Sequence, residues 1–327
     1  VKPSWRVNVD SAPASAVLED RLLQVRVQDE AGVRSDSCTL TFDDRAPSIA
    51  LPTKGVSLKV SLGFGEELWP MGEFVVDEVT AASPPRRLTV KARAANFSGG
   101  GVGSQLRTAV RRSWHNTTLG HVLGDVAGAA GHAVEVAAEL AERVVEHVDQ
   151  VNESGLAFVT RLSGQYGFVA KVAAGALLAV PRGGGRSVSG APLPKITIRA
   201  DECSRWEGAF PERNVFPAAT ARWHDVRLGV VRELRVGAAE GEAVAVGREY
   251  WYESDARAAA EAALRNGQVS RAALSLALSV GNPRVLAETR LNLEGFRDGI
   301  DGEWSTTAAT HDWSRAGATS SIRAEAV

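Results

Sequence analysis

Short runs in which apolar and polar residues alternate occupy both ends of this chain, and they dictate a mostly β protein. Trp5, Val7 and Val9 alternate near the start, and Leu23, Val25 and Val27 do the same further on. Thr39-Leu40-Thr41-Phe42 runs into the turn Asp43-Asp44-Arg45. Val56, Leu58, Val60 and Leu62 alternate before Gly63-Phe64-Gly65, and Phe74-Val75-Val76 and Leu88–Ala92 complete the set. A period of two places every second side chain on one face of a strand. Five or six such strands separated by turn residues favour an antiparallel barrel or sandwich over 1–97. The pattern returns after residue 195, in Ile196–Arg199, Ala219–Val226, Val230–Val236, Ala273–Val280, Val285–Glu294, Glu303–His311 and Thr319–Ala324. One clean helix interrupts it, Ser254–Asn266, alanine-rich, capped by Ser254 or Asp255 and stopped by Gly267.

The middle is different. Ser98–Gly103 carries four glycines and reads as a flexible link. Thr117 or Thr118 caps a helix whose Leu119, Val122, Leu123 and Val126 share one face. Gly120, Gly124 and Gly128 recur on it every four residues. Three glycines cost a helix roughly 1 kcal/mol each relative to alanine. The stripe therefore predicts close approach of another backbone. Ala133–Val148 has helical periodicity but no clear type. Ser154 caps a second helix, with Leu156, Val159 and Leu162 at helical spacing and Gly167 closing it in a left-handed conformation. Phe168–Val172 and Ala176–Val180 read as a hairpin ending at Pro181, and Arg182–Ala191 as a Gly/Ser-rich loop.

The stretch Gln150–Gly167, between the glycine helix and the hairpin, resembles the late control protein D family, the central tail hubs of contractile-tail phages and phage-tail-like bacteriocins. The same order recurs elsewhere. Leu22-Leu23 is followed by Asp36-Ser37-Cys38-Thr39-Leu40-Thr41-Phe42-Asp43-Asp44-Arg45, then Met71-Gly72-Glu73-Phe74-Val75-Val76-Asp77-Glu78, and near the end Trp304, His311 and Gly317-Ala318-Thr319-Ser320. The resemblance implies an α+β, mainly β fold: two barrel-like tube domains with an intervening α+β domain. The first barrel takes 1–97. The middle domain takes 98–190 plus about 246–282, partly extended within Ala133–Val148. The second barrel takes about 191–245 plus 283–327.

The same resemblance implies a homotrimer whose two barrels per chain make a pseudo-sixfold ring. That ring meets the tail tube protein on one side and a trimeric central spike protein on the other, with the tape-measure protein and other baseplate components as further neighbours. The expected location is the baseplate of a virion or phage-tail-like particle assembled in the bacterial cytoplasm, with DNA only as transient cargo. The related hubs of type VI secretion carry the spike in the same polypeptide. No long β-helical repeat follows here, which favours a separate spike. Gly120, Gly124, Gly128, Glu153, Ser154 and Arg161 are the candidate structural or interface residues.

Chemical alternatives are weak. His115, His121, His132 and His147 lie within 33 residues, but no His-Glu-x-x-His occurs. His121 with Asp125 is too few ligands for a metal site. His311 is expected to pack against Trp313. No Gly-x-Ser-x-Gly is present, and Cys38 and Cys203 lack a nucleophile signature and read as reduced core residues. Gly99-x-Gly101 is not completed into a phosphate loop. Asp43-Asp44 and Glu66-Glu67 are turn carboxylates rather than a glycosidase pair. Arg111-Arg112 with Trp114 reads as a solvated or interface patch rather than a base-stacking site. The expectation is no enzyme, no metal and no cofactor. A cell-wall-degrading tail enzyme and a type VI spike-type adaptor are the alternatives. A net charge of −2 argues against general nucleic-acid binding. The longest apolar run, Val172–Val180, is nine residues, too short for a membrane span, and no signal peptide is visible.

Overall fold

A computed structural model describes residues 2–10, 12–32, 36–52, 55–94, 106, 108–173, 176–182, 189–191, 195–210, 216–269 and 272–326. The expected link Ser98–Gly103 and most of the loop Arg182–Ala191 lie outside these residues.

In chain order the elements begin with β1 (Pro3–Val9), β2 (Ala12–Pro13), α1 (Ala16–Arg21), β3 (Leu22–Glu30), β4 (Ser37–Asp43), β5 (Ser57–Phe64), β6 (Glu67–Ala82) and β7 (Arg87–Ala94). The middle contributes β8 (Ala109–Thr118), α2 (Leu119–Ala129), β9 (Ala133–Val136), α3 (Ala138–Ala141), β10 (Val144–Ser154), α4 (Gly155–Tyr166), β11 (Phe168–Ala173) and β12 (Ala176–Pro181). Then follow β13 (Lys195–Arg199), β14 (Cys203–Ala209), β15 (Ala218–Asp225), β16 (Val230–Gly237), β17 (Ala243–Tyr250) and α5 (Glu253–Val269). The chain closes with β18 (Ala273–Leu278), β19 (Arg290–Glu294), β20 (Gly302–Ser314) and β21 (Gly317–Ala326).

The chain forms two compact units. The first gathers Val1–Gly101, Pro194–Gly208 and Leu274–Ala324; the second gathers Val102–Leu193, Ala209–Ala273 and Glu325–Val327. Residues 209–245, which the sequence expectation assigns to a second barrel, lie in the second unit. Residues 274–282, assigned to the middle domain, lie in the first.

The first unit is built on one 13-stranded sheet with the path β14-β18-β21-β20-β3-β4-β7-β6-β5-β1-β2, with β19 on β20 and β13 on β19. Its core takes the apolar phase of the alternating runs: Val7, Val25, Val27, Cys38, Leu40, Leu58, Val60, Leu62, Phe74, Val76, Leu88 and Val90 are buried. The expected phase slips once. Leu22 is buried and Leu23 exposed, because the β3/β4 register shifts between Leu22 and Gln24. A β-bulge of this kind moves one residue to the other face. Strand β20 pairs with β21, β19 and β3. Its residues 302–305 pair with β19 and 308–314 with β3. The β3/β20 ladder carries a side-chain clamp as well, with Gln24 and Arg26 both donating to Asp312. Trp313, fully buried, donates its ring N–H to the Gly63 carbonyl at 3.0 Å.

The expected strand Val285–Glu294 shortens to Arg290–Glu294. The preceding residues form a turn whose backbone is held by side chains, with Ala287 N–H on Asp29 and Leu286 N–H on Thr289.

In the second unit β8 and β10 form an antiparallel ribbon, β9 joins β12 in parallel beside the β11–β12 hairpin, and β15 sits between β16 and β17. The ambiguous Ala133–Val148 resolves into strand, one helical turn and strand. Helix α5 lays Ala256, Ala259 and Ala260 on Ala219 and Ala221 of β15, so an alanine-rich face meets an equally small sheet face. It runs to Val269, past the predicted stop at Gly267.

Candidate functional site

The segment that the sequence singles out forms the centre of the second unit. Strand β10 ends at a bulge between Val151 and Glu153, with Asn152 at φ 51°, a left-handed geometry that asparagine tolerates better than most residues. Ser154 then caps α4 by accepting from Ala157 N–H at 3.2 Å, and Gly167 ends it at φ 70°, ψ 41°. The buried stripe is Gly155, Phe158, Val159, Leu162 and Tyr166, an i, i+3, i+4, i+7, i+11 series.

Glu153 and Arg161 bind each other across the bulge. The Arg161 guanidinium donates to Glu153 at 2.5 Å and to the Asp149 carbonyl at 2.6 Å, and lies 5.0 Å over the Phe158 ring. Gln150, buried, donates to the Glu153 carbonyl. Phe158 stacks on Trp114 of β8, whose ring N–H is given to Asp125 of α2 at 2.8 Å. Glu153, Ser154 and Arg161 thus come together and fix strand, bulge and helix. Arg is suited to this position because its planar fork reaches a carboxylate and a carbonyl at once. Trp114 is buried, so its face is not offered to a nucleic-acid base.

The glycine stripe behaves unequally. A Cβ on Gly120 would stand 3.0 Å from the Ala141 carbonyl oxygen and 3.1 Å from its Cα, so α2 does approach α3 backbone-close there. A Cβ on Gly124 would meet only Val134 Cγ1 at 3.6 Å, and one on Gly128 nothing within 4 Å. Among the described residues of the chain itself, close backbone approach accounts for Gly120 alone. Gly155, which the sequence did not single out, is tighter than Gly124: its added Cβ would fall 2.9 Å from Leu106 Cδ2 and 3.2 Å from Val126 Cγ1.

Beside this joint runs a groove of about 350 Å³, lined among others by Asp149, Glu153, Arg161, Tyr250, Trp251 and Asp255. Asp255, buried at the start of α5, accepts from Tyr166 O–H at 2.9 Å. Burial raises its pKa, while the Tyr166 hydrogen bond opposes the rise. Arg143 ties the same region together by donating to the Tyr166 carbonyl and to Glu261 of α5. The hairpin β15–β16 carries a different surface: Val226, Leu228, Val230 and Val231 at its tip are all exposed.

Asp43, Asp44, His311 and Cys38, also weighed in the sequence, are absorbed by structure. Asp43 and Asp44 accept from the Arg45 and Ile49 backbone N–H groups, as turn carboxylates do. His311 is fully buried, with its ring nitrogens on Ser320 Oγ and the Val285 carbonyl, and burial lowers its pKa. It also meets Trp313 edge-on, with ring centroids 5.8 Å apart. Burial pushes the Cys38 thiol up to about 12 and the Cys203 thiol to about 11, the reverse of an activated nucleophile. Cys203 is only half-buried, not a core residue. Among the described residues, no group of three or more His, Cys, Asp or Glu side chains is placed to hold a metal ion, and no helix is long and apolar enough to cross a membrane.

A model of the phage tail baseplate hub (GPD) family matches residues 86–317. The chain belongs to that family. It is 28% identical to the probable baseplate hub protein of Escherichia phage P2, over 99% of this chain and 93% of the phage protein. Its fold is similar to that of a tail protein from Neisseria meningitidis MC58, with TM-score 0.70 at 13% identity, covering 100% of this chain and 97% of the other. It is also similar to the E. coli c3393 protein, a component of the type VI secretion system, with TM-score 0.53 at 14% identity, covering 99% of this chain and 76% of that one.

Proposed function

We propose that this chain is the structural hub of a contractile phage tail or phage-tail-like particle, a homotrimer that joins the hexameric inner tube to the trimeric central spike and catalyses no reaction. The observation that carries the reading is the pairing of β20 with β3 as well as with β19 and β21. It makes strands from 3–94 and strands from 195–209 and 273–326 one continuous sheet. Taken as two barrel-like tube domains, these strand sets give six from three chains, which matches a hexameric tube by closed symmetry. The exposed apolar tip of β15–β16 supports contact with another protein. The fold similarity to the c3393 protein makes a type VI spike-type adaptor the alternative, and tube, tape-measure and separate spike genes beside this one would favour the tail hub.

Light scattering of the purified chain, alone and with its spike, tests the proposal. A trimer that binds one spike trimer is expected. A chain that stays monomeric with the spike present overturns the reading.

A further inference from the structure

We propose that the groove beside α4 is a saccharide-binding site, which takes a short oligosaccharide flat against Trp251 with its hydroxyls on Arg248, Gln165 and Asp255. The groove holds about 350 Å³, within the range of about 300–1,000 Å³ that small-molecule sites occupy. Trp251 lines it and is 63% exposed. An exposed tryptophan is ordinarily free to turn, but this one is braced. His224 stacks on it with ring centroids 4.9 Å apart and planes tilted by 28°, and His224 Nε2 lies 3.4 Å from Glu249 Oε2. One indole face is thus spent on His224, and the other is left open beside the groove. The negative face of an aromatic ring attracts the weakly positive C–H groups that cover the flat side of a pyranose with equatorial hydroxyls. Tyr252, also exposed, adds a second ring to the same lining.

A second observation points the same way. The polar groups of the groove divide into those already engaged and those left over. Glu153 is bound to Arg161, Asp149 to Ser113 and His147, and Glu249 to Arg222 and His224. By contrast, the Arg248 guanidinium lies over the Tyr250 ring at 5.7 Å and has no hydrogen bond or ion pair among the described residues. The Gln165 amide, the Trp251 ring N–H and the Tyr252 hydroxyl likewise have none among the described residues. Buried Asp255 accepts from Tyr166 on one oxygen, and its other oxygen has no partner among them. A guanidinium, an amide and a carboxylate are planar groups that each reach two adjacent hydroxyls. Neighbouring sugar hydroxyls donate and accept, so they satisfy this mixed set, whereas an ion of either sign would use only half of it. One free carboxyl is not the pair that glycoside cleavage needs, so the site binds without cutting. The inference is independent of the hub reading, because it uses only this groove.

Titration calorimetry of the full chain with cellotriose and with chitotriose, two β-linked trisaccharides with flat C–H faces, tests it. Saturable binding of at least one of them is expected, with one site per chain. Trp251→Ala and Arg248→Ala should each weaken it by about tenfold or more, and Gln165→Ala by about 2–10-fold. Trp206→Ala, an exposed tryptophan of the first unit, should leave it unchanged. Circular dichroism checks that each variant is folded. Should Trp251→Ala fail to fold, Tyr252→Ala and Arg248→Ala, both at exposed side chains, carry the test. No saturation by either probe at about 10 mM, where a Kd of about 1 mM would fill roughly nine sites in ten, overturns the proposal. So does binding that Trp251→Ala and Arg248→Ala leave unchanged. Loss of self-association or spike binding in Trp251→Ala, with no saccharide bound by the parent, assigns the groove to a protein partner and overturns it as well.

Discussion

Replacing the three α2 glycines by alanine one at a time separates two explanations that the sequence alone merges. In an open helix interior, glycine to alanine stabilises by about 1 kcal/mol, because the unfolded chain has less freedom to lose. Gly128 has nothing within 4 Å of an added Cβ, so Gly128→Ala should gain that amount. Gly124→Ala should gain nearly as much, since Val134 at 3.6 Å is ordinary contact. At Gly120 the Cβ would press on the backbone of Ala141 at 3.0–3.1 Å. That backbone is held: Leu140 beside it is buried, and the Arg143 carbonyl accepts from Leu119 N–H at 2.8 Å. Overpacking against a held neighbour costs about 1–3 kcal/mol. Gly120→Ala should therefore lose about 1 kcal/mol net after the helix gain, leaving the two end glycines about 2 kcal/mol apart. For a unit of this size each kcal/mol moves the midpoint by about 2–4 °C. Thermal and urea unfolding by far-ultraviolet circular dichroism reads the difference, with hydrogen exchange of α2 amides assigning it to the second unit. If Gly120→Ala stabilised as much as Gly128→Ala, α3 would be yielding and the close-approach argument would fail.

Tyr166→Phe leaves the buried Asp255 carboxylate without its donor and should cost about 1–3 kcal/mol in urea unfolding; a loss below about 0.5 kcal/mol would mean water replaces the phenol. It should also raise the pKa of Asp255 further. A carboxyl whose folded pKa exceeds its unfolded value binds more protons when folded, so its contribution to stability falls as pH rises through that window. Asp255→Asn should remove this falling component, which paired urea titrations from pH 3 to 7 would detect. His311 has the opposite sign. Its folded pKa lies below the unfolded value near 6.5, so the unfolded state takes up the proton first and stability of the first unit drops as pH falls below that value. His311→Gln should flatten that acid limb, and an unchanged limb would assign it to other groups.

Strand identity was readable where one face is buried, because alternation records burial directly. Val56 to Leu62 and Leu88 to Ala92 show this, and Ser154 and Gly167 marked both ends of α4 by their own backbone chemistry. What escaped was structure without alternation. Strand β8 contains Arg111-Arg112-Ser113-Trp114-His115, with Trp114 its one buried side chain, so no apolar period betrays it. Strand β14 is almost wholly exposed, and β17 hides among alternating small residues. The grouping of 209–245 with the second unit depends on how β15 packs under α5, a long-range choice between alanine faces that local pattern does not encode. The Glu153–Arg161 pair was visible as two residues eight apart, but its purpose depends on a bulge at Asn152. The Gly120–Gly128 stripe was visible too, yet spacing did not reveal that, among the described residues of the chain, only Gly120 approaches backbone closely.

The ladder between β3 and β20 joins residues separated by about 286 positions, from Arg26 to Asp312. During synthesis at about 5–20 residues per second, roughly 15–60 s pass between the emergence of the two strands. Throughout that interval the β3 side of the first unit is an open edge with unpaired backbone groups. Such an edge can template wrong pairing. Production of the protein therefore depends on timing as well as on stability: slowing translation late in the gene lengthens the exposure of β3 without changing a single native contact, and should raise the aggregated fraction.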